Sequence, residues 1–195
     1  MLYWARCHRT RGIVARVGLP RLAPPTDAAL RRALASTAGA RLTYDAVGCS
    51  LGRARSDDLV EHTWTAVVSG GSDRFERAVE ALRSWQVHRG AGLRVVADGP
   101  TEVGREVALG VPLLVAQVVA VCRVVAVVDH DDAWGFAYGT LPLHPERGEE
   151  SFVVSRVRHD VRFTIRAVTP PSWRRPFSAL GARRYLRALQ RAVDR

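Results

Sequence analysis

One short segment of this 195-residue chain concentrates the side chains that acid and base catalysis needs. Within seven residues it carries His144 and three carboxylates, at Glu146, Glu149 and Glu150, and Tyr138 precedes them closely. Imidazole and carboxyl groups can exchange protons near neutral pH when apolar walls raise a Glu pKa. We therefore predict that Tyr138, His144, Glu149 and Glu150 are catalytic. The alternative is a solvated hairpin loop, which has the same composition.

The residues before this loop predict a β-strand with two unlike faces. Alternation puts small residues at positions 135, 137 and 139 on one face and larger residues on the other. The small face would admit a helix, another backbone or a ligand. The larger face provides apolar walls for a ligand if it is the inner one. Its members, apart from Tyr138, are predicted ligand contacts: Trp134, Phe136 and Thr140.

Arg123 lies in a valine-rich run that predicts buried strands. A guanidinium with apolar neighbours needs a carboxylate, backbone carbonyls or a ligand anion. Two interpretations stay open: an internal ion pair with Glu149 or Glu150, or a ligand contact. If the pair is buried, Arg123→Leu should cost about 3 to 5 kcal/mol.

The best amphipathic pattern of the chain predicts a helix from Ser72 to His88. Trp85, His88 and Arg89 close it and are predicted to contact the ligand near the mouth of a cavity, together with Tyr44. Cations at the end of a helix are equally explained by the helix dipole.

We expect no metal and no cofactor. The acidic run at 129–132 offers adjacent, divergent side chains and predicts a turn between strands. The chain has neither a lysine-containing phosphate loop nor a nucleophile-elbow sequence. Its three cysteines lack the C-x-x-C spacing, which favours a reducing, cytoplasmic location over a disulfide framework.

The net charge of +10 is unevenly distributed, and every one of the 29 basic residues is Arg. Both ends are basic and the middle is acidic. Because the Arg-rich segments lie on an N-terminal arm and a terminal helix rather than on a recognisable reading element, nucleic-acid binding is an unlikely function. The apolar stretch 107–128 contains Arg123, Gln117 and Pro112, so we expect two strands there, joined near Gly110–Pro112, and no transmembrane segment.

The order of the elements predicts one α+β domain over residues 26–195, preceded by a basic arm at 1–25. A short helix over 27–38 and a strand over 60–68 precede the amphipathic helix, and about six strands and a long C-terminal helix follow it. Antiparallel strands of this kind need a cover on one face, and the terminal helix is available. We predict a helix-grip-like fold with a curved antiparallel sheet of six or seven strands and both long helices on one side.

Several strings resemble the uncharacterised bacterial and plant family known as domain of unknown function nineteen-ninety. They extend in order from about Leu42 to the C-terminal helix, and this chain has Leu143 where the family commonly has Gly. The resemblance implies a fold related to the helix-grip ligand-binding proteins and implies no activity. The matching strings include Leu42-Thr43-Tyr44, Phe75-Glu76-Arg77-Ala78, the segment 85–92, Cys122-Arg123-Val124-Val125, the segment 135–142 and Gly148-Glu149-Glu150.

Three functions are compatible with these patterns. The first is a cofactor-free enzyme that holds an apolar, oxygenated, polyketide-like molecule and promotes cyclisation, dehydration or isomerisation by general acid and base catalysis. The second is a carrier or sensor of an apolar ligand in the same cavity. The third is a basic module that binds nucleic acid or an anionic membrane surface. Paired titratable groups in the cavity would favour the first.

Overall fold

In the described part of the computed structural model, seven strands form one antiparallel sheet and four helices pack around it. The structure describes residues 23–55, 57–69, 73–113, 116–171 and 175–194. The elements are α1 (Asp27–Thr37), a 3-10 turn (Cys49–Leu51), β1 (Val60–Ser69), α2 (Arg74–Arg83), α3 (Gln86–Gly90), β2 (Arg94–Ala97), β3 (Glu106–Leu113), β4 (Ala116–His130), β5 (Ala133–Thr140), β6 (Glu149–Val157), β7 (Asp160–Thr169) and α4 (Arg175–Val193).

The sheet has the order β1-β7-β6-β5-β4-β3-β2. From β2 to β7 every strand pairs with the next one along the chain, and β1 joins the edge of β7. The alternation that predicted β7 is confirmed, because Phe163 and Ile165 are fully buried while Arg162 is exposed. The predicted α+β, helix-grip-like fold is confirmed as well.

Three helices cover the inner face of the sheet. Residues of α2, α3 and α4 share one hydrophobic core with residues of six strands. The rings of Tyr185 on α4 and Phe152 on β6 lie 5.0 Å apart, and those of Trp85 and Phe136 lie 5.3 Å apart. The prediction that the amphipathic helix and the terminal helix lie on one side of the sheet is therefore confirmed.

The predicted single helix from Ser72 to His88 is wrong in one respect, since the helix breaks at Trp85. This residue adopts a left-handed conformation (φ 62°) between α2 and α3. Its indole is 1% exposed and donates a hydrogen bond from Nε1 to the carbonyl of Gly99 at 3.1 Å. Burial of this large ring offsets the backbone strain of roughly 1 to 3 kcal/mol.

The strand junction predicted near Gly110–Pro112 is also wrong. Strand β3 continues through these residues to Leu113, opposite β4. Proline lacks the N–H that a strand residue donates to its neighbour. The pairing of β2 with β3 stops at Gly110, opposite Arg94, the first residue of β2, so among the described residues Pro112 has a strand neighbour only on the β4 side.

The outer face of the sheet has two smaller covers. Helix α1, whose N-cap Thr26 accepts a hydrogen bond from the Ala29 amide, packs Leu30 against β3 and β4. The segment 44–51 covers the ends of β6 and β7. Residues 1–22 of the predicted arm lie outside the described residues, while Pro25 at its end is buried against Gly110.

Candidate functional site

A cavity of about 260 Å³ lies at one end of the interface between the sheet and α4. The rest of that interface is filled by large buried aromatic side chains such as Phe136, Phe152 and Phe163. Apolar residues from β3 and β4 form one wall, and the β5–β6 loop contributes most of the polar groups. The titratable and charged residues in the wall are His62, Tyr138, His144, Glu146, Glu149, Glu150, Arg184 and Tyr185.

Hydrogen bonds join the two ends of the β5–β6 loop. The Thr140 hydroxyl accepts a hydrogen bond from the Gly148 amide at 2.9 Å and donates to the Gly148 carbonyl at 3.1 Å. Leu143 adopts a φ of 80°, a conformation that glycine adopts without strain. The family that this chain resembles commonly has Gly at this position. Local strain of this kind is retained only where surrounding contacts fix the backbone. The loop is therefore held in one conformation beside the cavity.

The pleat of β6 sends the two adjacent glutamates to opposite faces of the sheet. Glu150 lies opposite Tyr138 of β5, on the face that carries the cavity. Glu149 lies opposite Gly139, whose missing side chain leaves room for Tyr44 on the outer face. A Cβ atom at position 139 would lie 2.4 Å from the Tyr44 hydroxyl. The two carboxylates therefore have different surroundings despite being neighbours in sequence.

Both carboxylate oxygens of Glu149 are occupied by the segment 44–51. One oxygen accepts hydrogen bonds from the Tyr44 hydroxyl at 2.6 Å and the Gly48 amide at 2.7 Å. The other accepts from the Ser50 amide at 2.9 Å and the Ser50 hydroxyl at 2.6 Å. Glu149 is 2% exposed, and burial together with this carboxylate raises the pKa of Tyr44. Glu149 borders the cavity, but its geometry is that of an anchor for this segment.

Glu150 is half-buried and forms the centre of a polar group in the cavity wall. The Tyr138 hydroxyl donates to its carboxylate at 2.9 Å, and the Tyr185 hydroxyl interacts with that of Tyr138. Burial raises the pKa of Glu150 to about 7, although the hydrogen bond from Tyr138 lowers it. Burial and the nearby Glu150 charge also raise the pKa of both tyrosines. Both hydroxyls therefore stay protonated and can donate hydrogen bonds at neutral pH.

Glu146 brings a second carboxyl group into the same cavity. Burial, followed by the charge of Glu150, raises its pKa to about 8. In the described part of the chain neither Glu146 nor Glu150 has a cationic partner within ion-pair distance. Two carboxyl groups that repel each other in an apolar site hold at least one proton between them near pH 7.

His144 is a neutral hydrogen-bonding group in the wall. Its Nδ1 lies 2.9 Å from the Glu146 amide nitrogen and 3.1 Å from the Glu146 carbonyl oxygen. An amide N–H can only donate, so the shorter contact favours Nδ1 as the acceptor and the ring proton on Nε2. Burial lowers the pKa of His144 to about 4, so the ring is uncharged at pH 7.

Five of the twelve residues predicted from sequence line this cavity: Tyr138, Thr140, His144, Glu149 and Glu150. The structure places the other seven outside its wall. Trp134 and Phe136 belong to the filled core, with the Arg83 guanidinium over the Trp134 ring. Arg89 is exposed and donates to the Ser84 carbonyl at 2.6 Å. The remaining four are Tyr44 on the outer face, Trp85 and His88 in the core, and Arg123 on β4.

His88 is completely buried, and neither ring nitrogen has a hydrogen-bond partner among the described residues. Burial lowers its pKa to about 3, and the charge of Arg89 acts in the same direction. The neutral imidazole therefore acts as one more ring of the core. Its ring centroid lies 4.8 to 5.9 Å from those of Trp85, Phe136, Tyr138, Phe152 and Tyr185.

Arg123 is paired with an acid, but the predicted partner is wrong. Its guanidinium donates to Glu106, directly opposite on β3, at 2.6 Å from Nη2 and 3.1 Å from Nε. Glu149 and Glu150 lie on β6, which β5 separates from β4, and neither forms an ion pair with Arg123. The two side chains are 24% and 20% exposed, so the pair is half-buried.

Arg123→Leu is expected to lower the free energy of unfolding by about 1 to 2 kcal/mol, below the range for a fully buried pair, because water still reaches Glu106. Urea unfolding of Arg123→Leu, Glu106→Gln and the double variant would measure the coupling. A loss above about 3 kcal/mol for Arg123→Leu would contradict the half-buried geometry.

The sequence-based prediction left out four titratable or charged groups of this cavity, namely His62, Glu146, Arg184 and Tyr185. Glu146 lies in the loop that was predicted to be catalytic, but its position in the cavity wall depends on the conformation of that loop. Tyr185 follows the apolar stripe of the terminal helix at helical spacing from Leu189 and was therefore a detectable signal. Arg184 gave no signal among eleven arginines of the last forty residues.

Neither a metal cluster nor a membrane-crossing helix occurs in the ranges that the structure describes. Groups of three or more His, Cys, Asp or Glu side chains that could hold a metal ion are absent there. No helix in those ranges is both long and apolar enough to cross a bilayer. Cys49 and Cys122 are buried free thiols, and burial raises the pKa of both.

Known proteins resemble this chain at two levels. A UPF0548 protein of Deinococcus radiodurans is 33% identical over 194 residues, which cover 88% of this chain and 98% of that protein. The crystal structure of hypothetical protein jhp0584 from Helicobacter pylori has a TM-score of 0.52 at 14% identity, covering 70% of this chain and 88% of that one. The crystal structure of major latex-like protein 151 from Panax ginseng has a TM-score of 0.46 at 16% identity, covering 69% of this chain and 95% of that one.

The structural match to jhp0584 concerns the fold alone, because so low an identity carries no function. The sequence relationship is more specific. The model of the family described as Domain of unknown function (DUF1990) matches residues 43–195, a range that begins one residue before the Tyr44 contact to Glu149. The chain belongs to this family.

Proposed function

We propose that this protein binds an apolar, oxygenated small molecule in the cavity and catalyses a cofactor-free cyclisation, dehydration or isomerisation. The observation that carries the proposal is the pair of carboxyl groups, Glu146 and Glu150, in one apolar cavity with the Tyr138 hydroxyl 2.9 Å from Glu150. General acid and base groups work best when their pKa lies near the operating pH. Their pKa values of about 8 and 7 satisfy this condition.

Near pH 7 one carboxyl of the pair can be protonated while the other is ionised, and the two forms have different roles. The protonated carboxyl donates a hydrogen bond or a proton to a carbonyl or hydroxyl oxygen of the ligand, and the ionised carboxyl accepts a proton from a carbon or hydroxyl of the same molecule. In one turnover one carboxyl loses a proton and the other gains one, so the total number of protons on the two carboxyls is unchanged. The Tyr185 hydroxyl and the His144 ring N–H supply further donors for the developing oxyanion, while the Tyr138 hydroxyl donates its single proton to Glu150.

The other member of the predicted catalytic set, Glu149, is not part of this proposal. Four hydrogen bonds from residues 44 to 50 saturate its carboxylate. Such an acceptor has no free lone pair directed at a ligand. Catalysis is therefore assigned to Glu150 and Glu146, and His144 and Tyr138 assist them.

A carrier of an apolar ligand is the second candidate, and one observation favours it. Apolar residues make up much of the wall, including Leu93, Leu109, Val111 and Val118. A site of this kind can bind a ligand by burying apolar area without chemistry. In that case the carboxyl pair would fix the orientation of the ligand only.

The test begins with native mass spectrometry of the protein purified from its own cells, which would identify a co-purifying ligand. The ligand is then incubated with wild type, Glu150→Gln, Glu146→Gln and Glu80→Gln, the last being an exposed control on α2. Loss of turnover by about 100-fold in Glu150→Gln with binding retained supports catalysis. Binding without turnover in wild type, or full turnover in both cavity variants, would leave only the carrier function.

A further inference from the structure

Arg184 is a half-buried cation of the cavity wall without a partner. It lies on α4 one turn after Gly181 and directly before Tyr185, both of which also line the cavity. In the part of the chain that the structure describes, its guanidinium has no ion pair and no hydrogen bond to protein. A half-buried guanidinium of this kind keeps N–H donors that no protein acceptor satisfies, and a ligand oxyanion can accept from them.

The other half-buried arginines of the described residues differ from Arg184 in this respect. Each has a carboxylate within ion-pair distance. The partners are Asp194 for Arg74, Asp73 for Arg77, Glu102 for Arg105, Glu106 for Arg123 and Glu61 for Arg166. The lack of a partner is therefore specific to the arginine in the cavity wall and is not a general consequence of the arginine-rich composition.

The carboxyl groups of the same cavity do not supply the missing acceptor. Glu146 and Glu150 are both farther than 4.0 Å from the guanidinium, since neither forms an ion pair. Their raised pKa values of about 8 and 7, set mainly by burial, leave Glu146 mostly protonated and Glu150 about half protonated at pH 7. An anionic group that enters the cavity therefore meets the full positive charge of Arg184 and only part of the negative charge that two ordinary carboxylates would carry.

We propose that the ligand is an amphiphilic organic anion whose carboxylate or similar oxyanion pairs with Arg184 while its apolar body lies against Leu109 and Val118. This inference rests on the proposed function, because it names the class of molecule that the cavity accepts. The planar guanidinium offers two parallel N–H donors to an oxyanion. The oxygen atoms at the other end of the ligand then face the carboxyl pair and Tyr138.

Two fluorescent probes with the same aromatic body test the charge requirement. 8-Anilinonaphthalene-1-sulfonate carries an anion, and N-phenyl-1-naphthylamine is the same molecule without it. We expect wild type to bind the sulfonate at least about tenfold more tightly, because only the sulfonate forms a charge-assisted hydrogen bond with the guanidinium. Arg184→Gln should remove this preference and leave the affinity for the neutral probe unchanged, which also shows that the variant is folded.

A matched control separates the cavity from the basic surface. Arg187→Gln removes the same charge from an exposed position of the same helix and should retain the preference for the sulfonate. Arg184→Lys, which keeps the charge, should retain part of it. Displacement of the neutral probe by dodecanoate and by dodecanol repeats the comparison with a carboxylate. Dodecanoate should be the stronger competitor in wild type and in Arg187→Gln, and should lose this advantage in Arg184→Gln.

The outcomes are distinct. Equal affinity of wild type for both probes, or an equal loss in Arg184→Gln and Arg187→Gln, would overturn the role of Arg184 and leave ligand binding intact. Failure of wild type to bind either probe in a saturable manner would overturn the proposed ligand-binding function together with this inference.

Discussion

Glu149→Ala is expected to lower the free energy of unfolding by about 3 to 5 kcal/mol, as removal of one member of a buried charged network does. The substitution leaves four buried donors, from Tyr44, Gly48 and Ser50, without their acceptor. Each unsatisfied donor costs about 1 to 3 kcal/mol, and partial relaxation of the segment 44–51 reduces the total. Urea unfolding followed by far-UV circular dichroism measures the change.

Two controls define the size of this effect. Tyr44→Phe removes one of the four donors and should cost about 1 to 2 kcal/mol. Glu80→Ala, on the exposed face of α2, should change the free energy of unfolding by less than about 0.5 kcal/mol. If Glu149→Ala were no more harmful than Glu80→Ala, the hydrogen bonds to Glu149 would not hold the segment to the sheet.

Raising the pH from 6.5 to 8.5 is expected to lower the stability of the ligand-free protein by about 1 to 2 kcal/mol. Glu146 and Glu150 have folded-state pKa values of about 8 and 7, above the ordinary value of 4.5. Their contribution to stability is complete below about pH 4.5 and is lost as the pH rises through 7 to 8, because over this range the folded state still holds protons that the unfolded state has already released. Thermal unfolding at intervals of half a pH unit would show the decline.

The buried histidines act in the opposite direction and in a different pH range. Burial places the pKa of His88 at about 3 and that of His144 at about 4, below the ordinary 6.5. Their contribution is complete above pH 6.5 and is lost as the pH falls toward these values. The carboxyl pair therefore dominates above pH 6.5. Combining Glu146→Gln with Glu150→Gln should make stability nearly independent of pH there, and an unchanged slope would contradict the assignment.

The periodicity of the sequence was sufficient to predict most of the fold. The alternation of β7 and the 3.6-residue pattern of α2 each report which face is buried, and the structure agrees on both. The break at Trp85 was not predictable from this pattern, because the indole fits the helical period whether or not the helix continues. The extension of β3 through Pro112 depends on β2 starting at Arg94, opposite Gly110, and this start is a property of the neighbouring strand.

The site was predictable to the level of a loop and less so to the level of a residue. The sequence pattern predicted Glu149 and Glu150 together in a loop, whereas β6 begins at Glu149. Two more strand residues would have put the two carboxylates on opposite faces. The partner of Arg123 required the register between β3 and β4, and the absence of a partner at Arg184 required the positions of all neighbouring acids.

The order of the strands has a consequence for folding kinetics. Strands β2 to β7 form consecutive hairpins, but β1 pairs with β7 across about a hundred residues of sequence, with Val60 opposite Thr169. Contacts this distant in sequence form slowly, because closure of a long loop must precede them. The strand that is synthesised first is thus the strand that is paired last. Until then the free edge of β7 can accept β1 from a second chain, and we expect strand-exchanged dimers when the protein refolds at high concentration.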